Sequence, residues 1–339
     1  MVEEGKSVIR LGYGSGGKLT YDLIYNVIGK SLSNEILDEY LDSAIMEVGK
    51  GRIVFTTDSY IVKPIFFAGG DIGKLAVTGT INDLAVVGAI PRYLSLSLII
   101  EEGLLIDELE RIVLSIRDTA KACGVKVVTG DTKVVERGKG DAIFINTAGI
   151  GVMIDDFKID IGTIRIGDNI LINGGIGEHG AAIICSRGLI GFDSNVKSDC
   201  AAIHYLVKDL IESGVRVKFM RDPTRGGVAT TLVELAERIP YTILINEKEI
   251  LIKESVKSIC EFLGFDPLYL ANEGKIIIVV DEKDTDKALQ VMKRNEIGKD
   301  SCIIGEIVDK RNAKVLMRTL VGTLRIIDMM MEDQLPRIC

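Results

Sequence analysis

The sequence predicts an α/β protein, in the α+β sense, with two successive domains whose mixed sheets are covered by helices. Its 339 residues suit about two domains. Apolar runs of strand length alternate with amphipathic runs of helix length, and this series occurs twice. A polar, turn-rich stretch at 152–168 separates the two series. The predicted divisions are a glycine-rich N-terminal segment at 1–40, domains at 41–155 and 156–327, and a flexible C-terminal tail at 328–339.

Each element of the first half has a local cause. Apolar residues at helical spacing predict a helix over 20–32, and Asp71 is predicted to cap a long helix that ends near Gly88, before Pro91. An amphipathic pattern predicts the next helix at 107–123. The predicted strands are 53–57, 93–100, 125–129 and 142–151.

The second half is predicted to repeat this architecture. It begins with an apolar strand at 169–173, and a loop at 221–227 leads into a helix that ends at Arg238. Further helices are predicted at 179–188, 199–213, 254–263 and 284–294, and further strands at 242–246, 276–281, 302–308 and 314–317. Each half therefore supplies enough strands for a sheet of its own.

The composition argues against several functions. A formal net charge of -8 disfavours a nucleic-acid partner. No apolar run approaches the ~18 residues of a membrane-spanning helix, and the N-terminus lacks an apolar signal core, so we expect a soluble cytoplasmic protein. The six cysteines form no CxxC pair and only two histidines are present, which argues against zinc and iron–sulfur sites.

Acidic residues mark the predicted ends of strands and helices. Asp58 and Asp131 close predicted strands, Asp71 begins a helix together with Lys74, and Asp83 lies inside an otherwise apolar helix. A carboxylate in such a helix is costly to bury unless a positive group meets it. Carboxylates without nearby histidines suit a hard cation such as Mg²⁺, bridging to phosphates. Each aspartate taken alone is explained as well by a turn or a helix cap.

Two glycine-containing loops are candidates for phosphate binding. Closely spaced backbone N–H groups can approach anionic oxygens, although a mobile loop explains the glycines as well. The loop at 221–227 adds the amides of a helix start and a guanidinium. The candidate residues are Gly14, Gly16, Gly17 and Lys18 in the first loop, and Asp222, Thr224, Arg225 and Gly226 in the second.

Cys339 ends a polar tail that contains Pro336. Chain ends are weakly ordered, so such a tail can enter and leave a pocket, and an ionised thiol is a strong nucleophile. Alone, an incidental terminal thiol is the simpler interpretation. The carboxylates and glycine loops, however, include no nucleophile or acceptor of their own, and Cys339 would supply a tethered one.

In this order, the motifs resemble the superfamily of ATP-using enzymes typified by aminoimidazole ribonucleotide synthetase. The matching stretches are 14–18, 57–59, 70–74, 82–85, 130–133 and 222–227. The resemblance implies a homodimer with ATP near the subunit interface, so that 41–155 would be the ATP-binding and dimerisation domain. It also implies Mg²⁺ held by aspartates, here Asp58, Asp83 and Asp131, with Asp71 and Lys74 among the residues that contact the nucleotide.

Within that superfamily, the closing Pro336-Arg337-Ile338-Cys339 resembles the hydrogenase maturation factor HypE family. That resemblance implies that a partner carbamoyltransferase loads Cys339, and that ATP then drives dehydration of the thiocarboxamide to a thiocyanate. Cyanide would pass to scaffold proteins that assemble the iron centre of nickel–iron hydrogenase. Glu273 is the predicted base and Lys133 the predicted contact to the thiocarboxamide, although a polar turn and a surface ion pair remain alternatives.

His179 is a weaker site candidate, with a helix-start role as its alternative. Two other functions also remain open at this stage. The first is a small-molecule kinase or synthetase of the same superfamily, such as thiamine-monophosphate kinase or selenophosphate synthetase. The second is a nucleotide-switched cysteine carrier without catalysis.

Overall fold

A computed structural model describes residues 17–29, 34–39, 41–49, 51–155, 157–188, 195–310, 314–330 and 337–339. Gly14 and Gly16 of the predicted phosphate loop lie outside these residues. The α-helices of the described chain are α1 (Lys18–Leu23), α2 (Ile72–Val86), α3 (Ile106–Ala122), α4 (Glu178–Ser186), α5 (His204–Glu212), α6 (Gly227–Arg238), α7 (Glu254–Leu263) and α8 (Thr285–Arg294). A π-helical turn at Ile24–Gly29 continues α1.

The first sheet has five strands and carries two helices. Its strands are β1 (Ala44–Val48), β2 (Gly51–Tyr60), β5 (Ala89–Glu101), β6 (Lys126–Val135) and β7 (Ile143–Met153), in the order β1-β2-β7-β5-β6. Only the β5–β6 pair of this sheet is parallel. Helix α2 packs against β2, β7 and α3 and also contacts α5 of the second half, so nearly all of its side chains are buried. A short ribbon of β3 (Phe66–Phe67) and β4 (Gly70–Asp71) precedes α2.

The second sheet has seven strands. They are β8 (Asn169–Ile172), β9 (Val217–Arg221), β10 (Thr242–Asn246), β11 (Ile277–Val280), β12 (Cys302–Val308), β13 (Val315–Arg318) and β14 (Leu324–Ile326), in the order β14-β13-β10-β12-β8-β11-β9. Among the described strands of this sheet, β10 and β13 alone pair in parallel. In the described parts of the chain, every helix is too short or too polar to cross a membrane.

The predicted fold class is confirmed, and several local predictions are corrected. The helix predicted at 199–213 begins only at His204, because the backbone of 201–203 bonds with Asn82 and Glu273 instead. Asp58 and Asp131 lie inside strands rather than at strand ends, since sheet pairing continues to Tyr60 and to 135. Strands β1, β9 and β14 were not predicted.

Candidate active site

Four carboxyl groups from distant parts of the chain lie near one another where the two halves of the chain pack together. Asp58 lies on β2 and Asp83 on α2, whereas Asp222 follows β9 and Glu273 precedes β11. Thr56 on β2 donates a hydrogen bond to Asp83 Oδ2 at 2.9 Å. Asp222 and Glu273 are only 7% and 3% exposed. The sequence proposed all four residues as site candidates, and the structure brings them together.

Burial raises the pKa of each of these carboxyl groups, and repulsion from neighbouring carboxylates adds to the rise for Asp83, Asp222 and Glu273. Desolvation comes first for Asp83, whose pKa lies well above its usual value, and repulsion from Asp222 and Asp58 adds to it. Desolvation likewise raises the pKa of Glu273 well above normal, and repulsion from Asp199 is the next largest cause. The pKa of Asp222 rises to about 7. Such a cluster is stable in its ionised form only when a cation joins it.

The residues present suit Mg²⁺. The Oε1 atom of Glu273 is buried without a hydrogen-bond partner, as expected of an oxygen that meets an ion or ion-bound water. Within the described residues, no three acidic, histidine or cysteine side chains form a complete metal cage. Mg²⁺ does not require one, because it keeps several waters and binds through one or two carboxylates and the phosphates of a substrate. Asp58, Asp83 and Asp222 are the residues that would hold it.

Asp131 and Lys133 lie apart from this cluster in the same chain. Strands β7 and β5 lie between β2, which carries Asp58, and β6, which carries Asp131. Neighbouring strands are about 4.8 Å apart, so the three spacings place the two aspartates about 14 Å from each other. Asp131 and Lys133 are both exposed, and Lys133 Nζ lies 2.6 Å from Asp131 Oδ2. A single chain therefore does not bring Asp131 to the predicted metal site, nor Lys133 to Glu273.

Asp71 and Lys74 have structural partners at the start of α2. Asp71 Oδ1 accepts hydrogen bonds from the backbone of Gly73 and Lys74, and its Oδ2 accepts one from Ser115. Lys74 Nζ donates to the carbonyl of Gly69 at 3.0 Å. The predicted helix cap is confirmed, and a role of either residue in nucleotide binding stays a prediction.

The loop after Asp222 is a tight turn at the start of α6. Thr224 N–H bonds back to the carbonyl of Asp222, and Gly227 N–H bonds to that of Thr224. Gly226 has φ 75°, and a Cβ at Gly227 would lie 2.5 Å from the carbonyl of Leu268, so glycine is required here.

This turn directs charge toward the carboxylates. Arg225 is exposed, and its positive charge lowers the pKa of both Asp58 and Glu273. In the first loop, Gly17 precedes α1, and the Lys18 N–H donates to the carbonyl of Met330 at 2.8 Å. Phosphate binding by either loop stays a prediction.

The last three residues lie along the segment that follows β2. Ile61 N–H donates to the carbonyl of Cys339 at 3.1 Å, and Lys63 N–H donates to that of Arg337 at 3.3 Å. The Arg337 guanidinium reaches the carbonyl of Ile61 at 3.1 Å and forms an ion pair with Asp141. Arg337 adopts the left-handed backbone conformation, with φ 57°. The chain end is thus docked beside the strand that carries Asp58.

Two side chains from α4 and its end complete the docking. His179 Nε2 lies 2.8 Å from the carbonyl of Ile338 and must therefore carry the proton, while Nδ1 lies 2.8 Å from Ser198 Oγ. Arg187 donates to the carbonyl of Arg337 at 2.8 Å. Burial lowers the pKa of His179, so the ring is neutral at neutral pH. His179, the weaker sequence candidate, contacts the tail directly.

A continuous set of contacts links the docked tail to Glu273. Ser198, which meets His179, precedes Asp199, and the two Asp199 oxygens accept the backbone N–H groups of Glu273 and Gly274, each at 3.1 Å. Lys275 pairs with Asp199 at 3.4 Å. Asp199 is not among the predicted site residues, since nothing local in the sequence relates it to a residue 74 positions away.

Family models cover most of the chain. The model for the AIR synthase related protein, N-terminal domain, matches residues 40–153, and that for the C-terminal domain matches residues 165–318. The chain belongs to this family of two-domain proteins.

Within the family, the chain falls among the HypE proteins. It is 45% identical over 332 residues to carbamoyl dehydratase HypE of Rhizobium leguminosarum bv. viciae, covering 98% of this chain and 95% of the relative. A solved HypE–HypF complex matches with a TM-score of 0.85 and 47% identity, over 91% of this chain and 99% of that chain. A solved HypE in complex with ATP matches with a TM-score of 0.81 and 43% identity, over 98% and 100%.

Proposed function

We propose that this protein is an ATP-dependent carbamoyl dehydratase that acts on its own C-terminal cysteine. It would convert a thiocarboxamide on Cys339 into a thiocyanate and so provide cyanide for the iron of nickel–iron hydrogenase. One observation carries the proposal: the chain ending in Cys339 docks beside the strand of Asp58 and connects through His179 to the segment that holds Glu273. The carbamoyl dehydratase names of the HypE relatives agree with it.

The reaction needs a better leaving group than an amide oxygen. In the first step, the carbamoyl oxygen attacks the terminal phosphorus of ATP and ADP leaves. In the second step, the C–O bond breaks with departure of phosphate, the two N–H protons are lost, and a C≡N bond forms. The sum is thiocarboxamide plus ATP giving thiocyanate, ADP, phosphate and a proton. Such transfer depends on alignment and on neutralised oxygens more than on covalent chemistry from the protein.

Each site residue has a task in these steps. Asp58, Asp83 and Asp222 would hold Mg²⁺, which when bound would supply positive charge to the phosphate oxygens. Glu273 takes a proton from nitrogen as phosphate departs, because its buried carboxylate has a raised pKa and is therefore a stronger base than an exposed glutamate. The charge of Arg225 opposes the rise in the pKa of Asp58 and Glu273.

Lys133 and Asp131 would reach an active site only in a homodimer, in which they would contribute to the site of the other subunit. They lie on β6, an edge strand that is exposed along nearly its whole length and carries apolar side chains such as Val128 and Val134, 58% and 68% exposed. An exposed apolar edge strand favours pairing with a second chain. In a dimer formed there, Lys133 would approach the thiocarboxamide held by the partner subunit.

The thiol must also meet partners outside the cleft. A carbamoyltransferase would load Cys339, and the solved HypE–HypF complex of a relative supports a partner of this kind. Iron-centre scaffold proteins would take the cyanide. Both exchanges need the tail outside the cleft, whereas dehydration needs it inside.

The test is an intact-mass measurement on the protein carbamoylated at Cys339 and incubated with ATP and Mg²⁺. Loss of one water from the C-terminal peptide, with one ATP hydrolysed per chain, supports the proposal. ATP consumption without that loss would refute it. Cys339→Ala should remove the coupled ATP turnover, while Cys302→Ala, which changes a half-buried thiol of β12, should keep it. A small-molecule kinase would retain activity in both variants.

A further inference from the structure

The peptide groups of Glu273 and Gly274 are held by residues that are distant in the sequence. Their N–H groups donate to the two oxygens of the Asp199 carboxylate, each at 3.1 Å. The carbonyl of Glu273 accepts hydrogen bonds from the side-chain amide of Asn82 and from the N–H of Ala201, both at 3.3 Å. Asp199 thus fixes the backbone that carries the Glu273 side chain.

Close packing leaves this backbone little freedom to move. Gly274 lies against the carbonyl of Asp199, where an added Cβ would come within 2.0 Å of the oxygen. The carbonyl of Gly274 accepts a hydrogen bond from the side chain of Asn173 at 2.9 Å. By contrast, Oε1 of Glu273 has no hydrogen-bond partner in the described part of the chain. A side chain whose backbone is fixed while its reactive end is unpaired is preorganised to meet a substrate.

Asp199 is itself held by a buried row of alternating charges. Lys275 Nζ lies 3.4 Å from Asp199 Oδ2 and 3.2 Å from Glu178 Oε2, and Lys253 pairs with the other oxygen of Glu178. The side chains of Asp199 and Lys275 are only 3% and 10% exposed. Burial opposes the charge of Lys275, but Asp199 and Glu178 raise its pKa above the usual value, so the amine stays protonated. These ion pairs fix the carboxylate that holds Glu273.

We propose that Asp199 is a positioning residue for the second step of the reaction, in which it keeps the Glu273 carboxylate within reach of the proton on nitrogen. The inference rests on the proposed function and deepens it, because Asp199 acts through Glu273 and touches no reacting atom. A displacement of about 1 Å at a reacting group can slow a step roughly 10²-fold. Phosphoryl transfer, the first step, does not use Glu273 and should tolerate such a displacement.

A displaced base would uncouple the two steps. The phosphorylated intermediate would then persist, and water could attack its phosphorus. That attack breaks the bond between phosphorus and the carbamoyl oxygen, releases phosphate and returns the thiocarboxamide. ATP would be consumed without loss of water from the tail. Asp199 therefore determines how many ATP molecules are used for each water lost.

The experiment follows ADP formation and water loss together, in the protein carbamoylated at Cys339 and mixed with excess ATP and Mg²⁺. Asp199→Asn places an NH2 group opposite one of the two backbone N–H groups. In this variant we expect ADP formation within about 3-fold of the unaltered rate and water loss roughly 10- to 100-fold slower, so that more than one ATP is consumed per water lost.

A second variant separates positioning from ion pairing. Asp199→Glu keeps a carboxylate for Lys275 but is one methylene longer, so it should fold and still uncouple the steps. Full coupling in Asp199→Glu would overturn the proposal, because a role limited to the ion pair would then explain Asp199. Equal slowing of both steps in a folded Asp199→Asn chain, or unchanged coupling there, would overturn it as well.

Asp168→Asn is the matched control for loss of a buried ion pair. The side chain of Asp168 is 4% exposed and lies 2.6 Å from Lys218 Nζ. It precedes β8, whose Asn169 pairs with Val280, at the end of β11 that lies away from Glu273.

Loss of a buried charge partner should lower the urea midpoint in both asparagine variants. Asp168→Asn should nevertheless keep one ATP per water lost, and uncoupling there would show that lowered stability is the cause and overturn the proposal. Coupled turnover in the Asp199 variants, with water loss in the unaltered chain, refutes this inference alone. Absence of water loss in the unaltered chain refutes the proposed function and this inference together.

Discussion

Replacing Asp222 by asparagine should stabilise the metal-free protein. Asp222 is 7% exposed, and burial with its acidic neighbours raises its pKa from 3.8 to about 7. Between these two pH values the unfolded chain loses a proton that the folded chain keeps, so the folded state becomes progressively less stable as pH rises. Above pH 7 the full difference of about 3 pKa units applies, which corresponds to about 4 kcal/mol.

The assay is urea denaturation at pH 8 in the presence of a metal chelator. The neutral amide of Asp222→Asn removes the ionisation cost, so the free energy of unfolding should rise by up to about 4 kcal/mol, and the gain should vanish as pH falls toward 4. Magnesium should reduce this difference. An ion present at 100 times its dissociation constant stabilises the unaltered protein by about 2.7 kcal/mol, whereas the variant should gain little.

Asp131→Asn is the matched control, because Asp131 is exposed and paired with Lys133 rather than with other carboxylates. It should leave the unfolding curve unchanged in both conditions. Two results would contradict this reasoning: a loss of stability of Asp222→Asn in chelator, or equal stabilisation of the variant and the unaltered chain by magnesium. Either would mean that repulsion among the buried carboxylates does not destabilise the metal-free protein.

Three further predictions concern single side chains. Glu273→Gln should slow water loss from the carbamoylated tail roughly 10²- to 10⁴-fold in single-turnover mass measurements while ATP binding persists, and an unchanged rate would exclude Glu273 as the base. Burial lowers the pKa of His204 to about 4, so between pH 7.5 and pH 5 the unfolded chain gains a proton that the folded chain refuses. About 2 kcal/mol of stability should be lost over that range, and His204→Phe should abolish this pH dependence. Burial raises the pKa of the Cys200 thiol to about 12, so alkylation of the native protein at pH 8 should spare Cys200 in peptide mass maps, and rapid labelling there would contradict its burial.

Local physics made much of the fold predictable. Asp71 was predictable as a helix cap because an aspartate directly before an apolar, helix-forming run can accept the unpaired N–H groups of the first turn. In the structure it accepts the N–H groups of Gly73 and Lys74. The amphipathic run at 254–263 gave the bounds of α7 directly. By contrast, strands β1 and β14 carry a weaker pattern, since exposed residues occupy much of each.

Long-range pairing limited prediction of the site. Asp58 and Asp131 follow similar apolar runs, and nothing local shows that two further strands lie between theirs. The start of α5 was missed for a related reason. The amide of Asn82 binds the carbonyl of Ala201 and the N–H of Ile203, and these tertiary bonds replace helical hydrogen bonds where the side-chain pattern favours helix.

The left-handed backbone of Arg337 makes docking of the tail reversible. A non-glycine residue in this conformation stores roughly 1 to 2 kcal/mol of strain, which is released when the segment leaves. Undocking is thereby favoured roughly 5- to 30-fold relative to an unstrained peptide with the same contacts. Under the proposed function, this strain would help the modified tail to leave its docked position after dehydration, so that the product would not inhibit the next cycle.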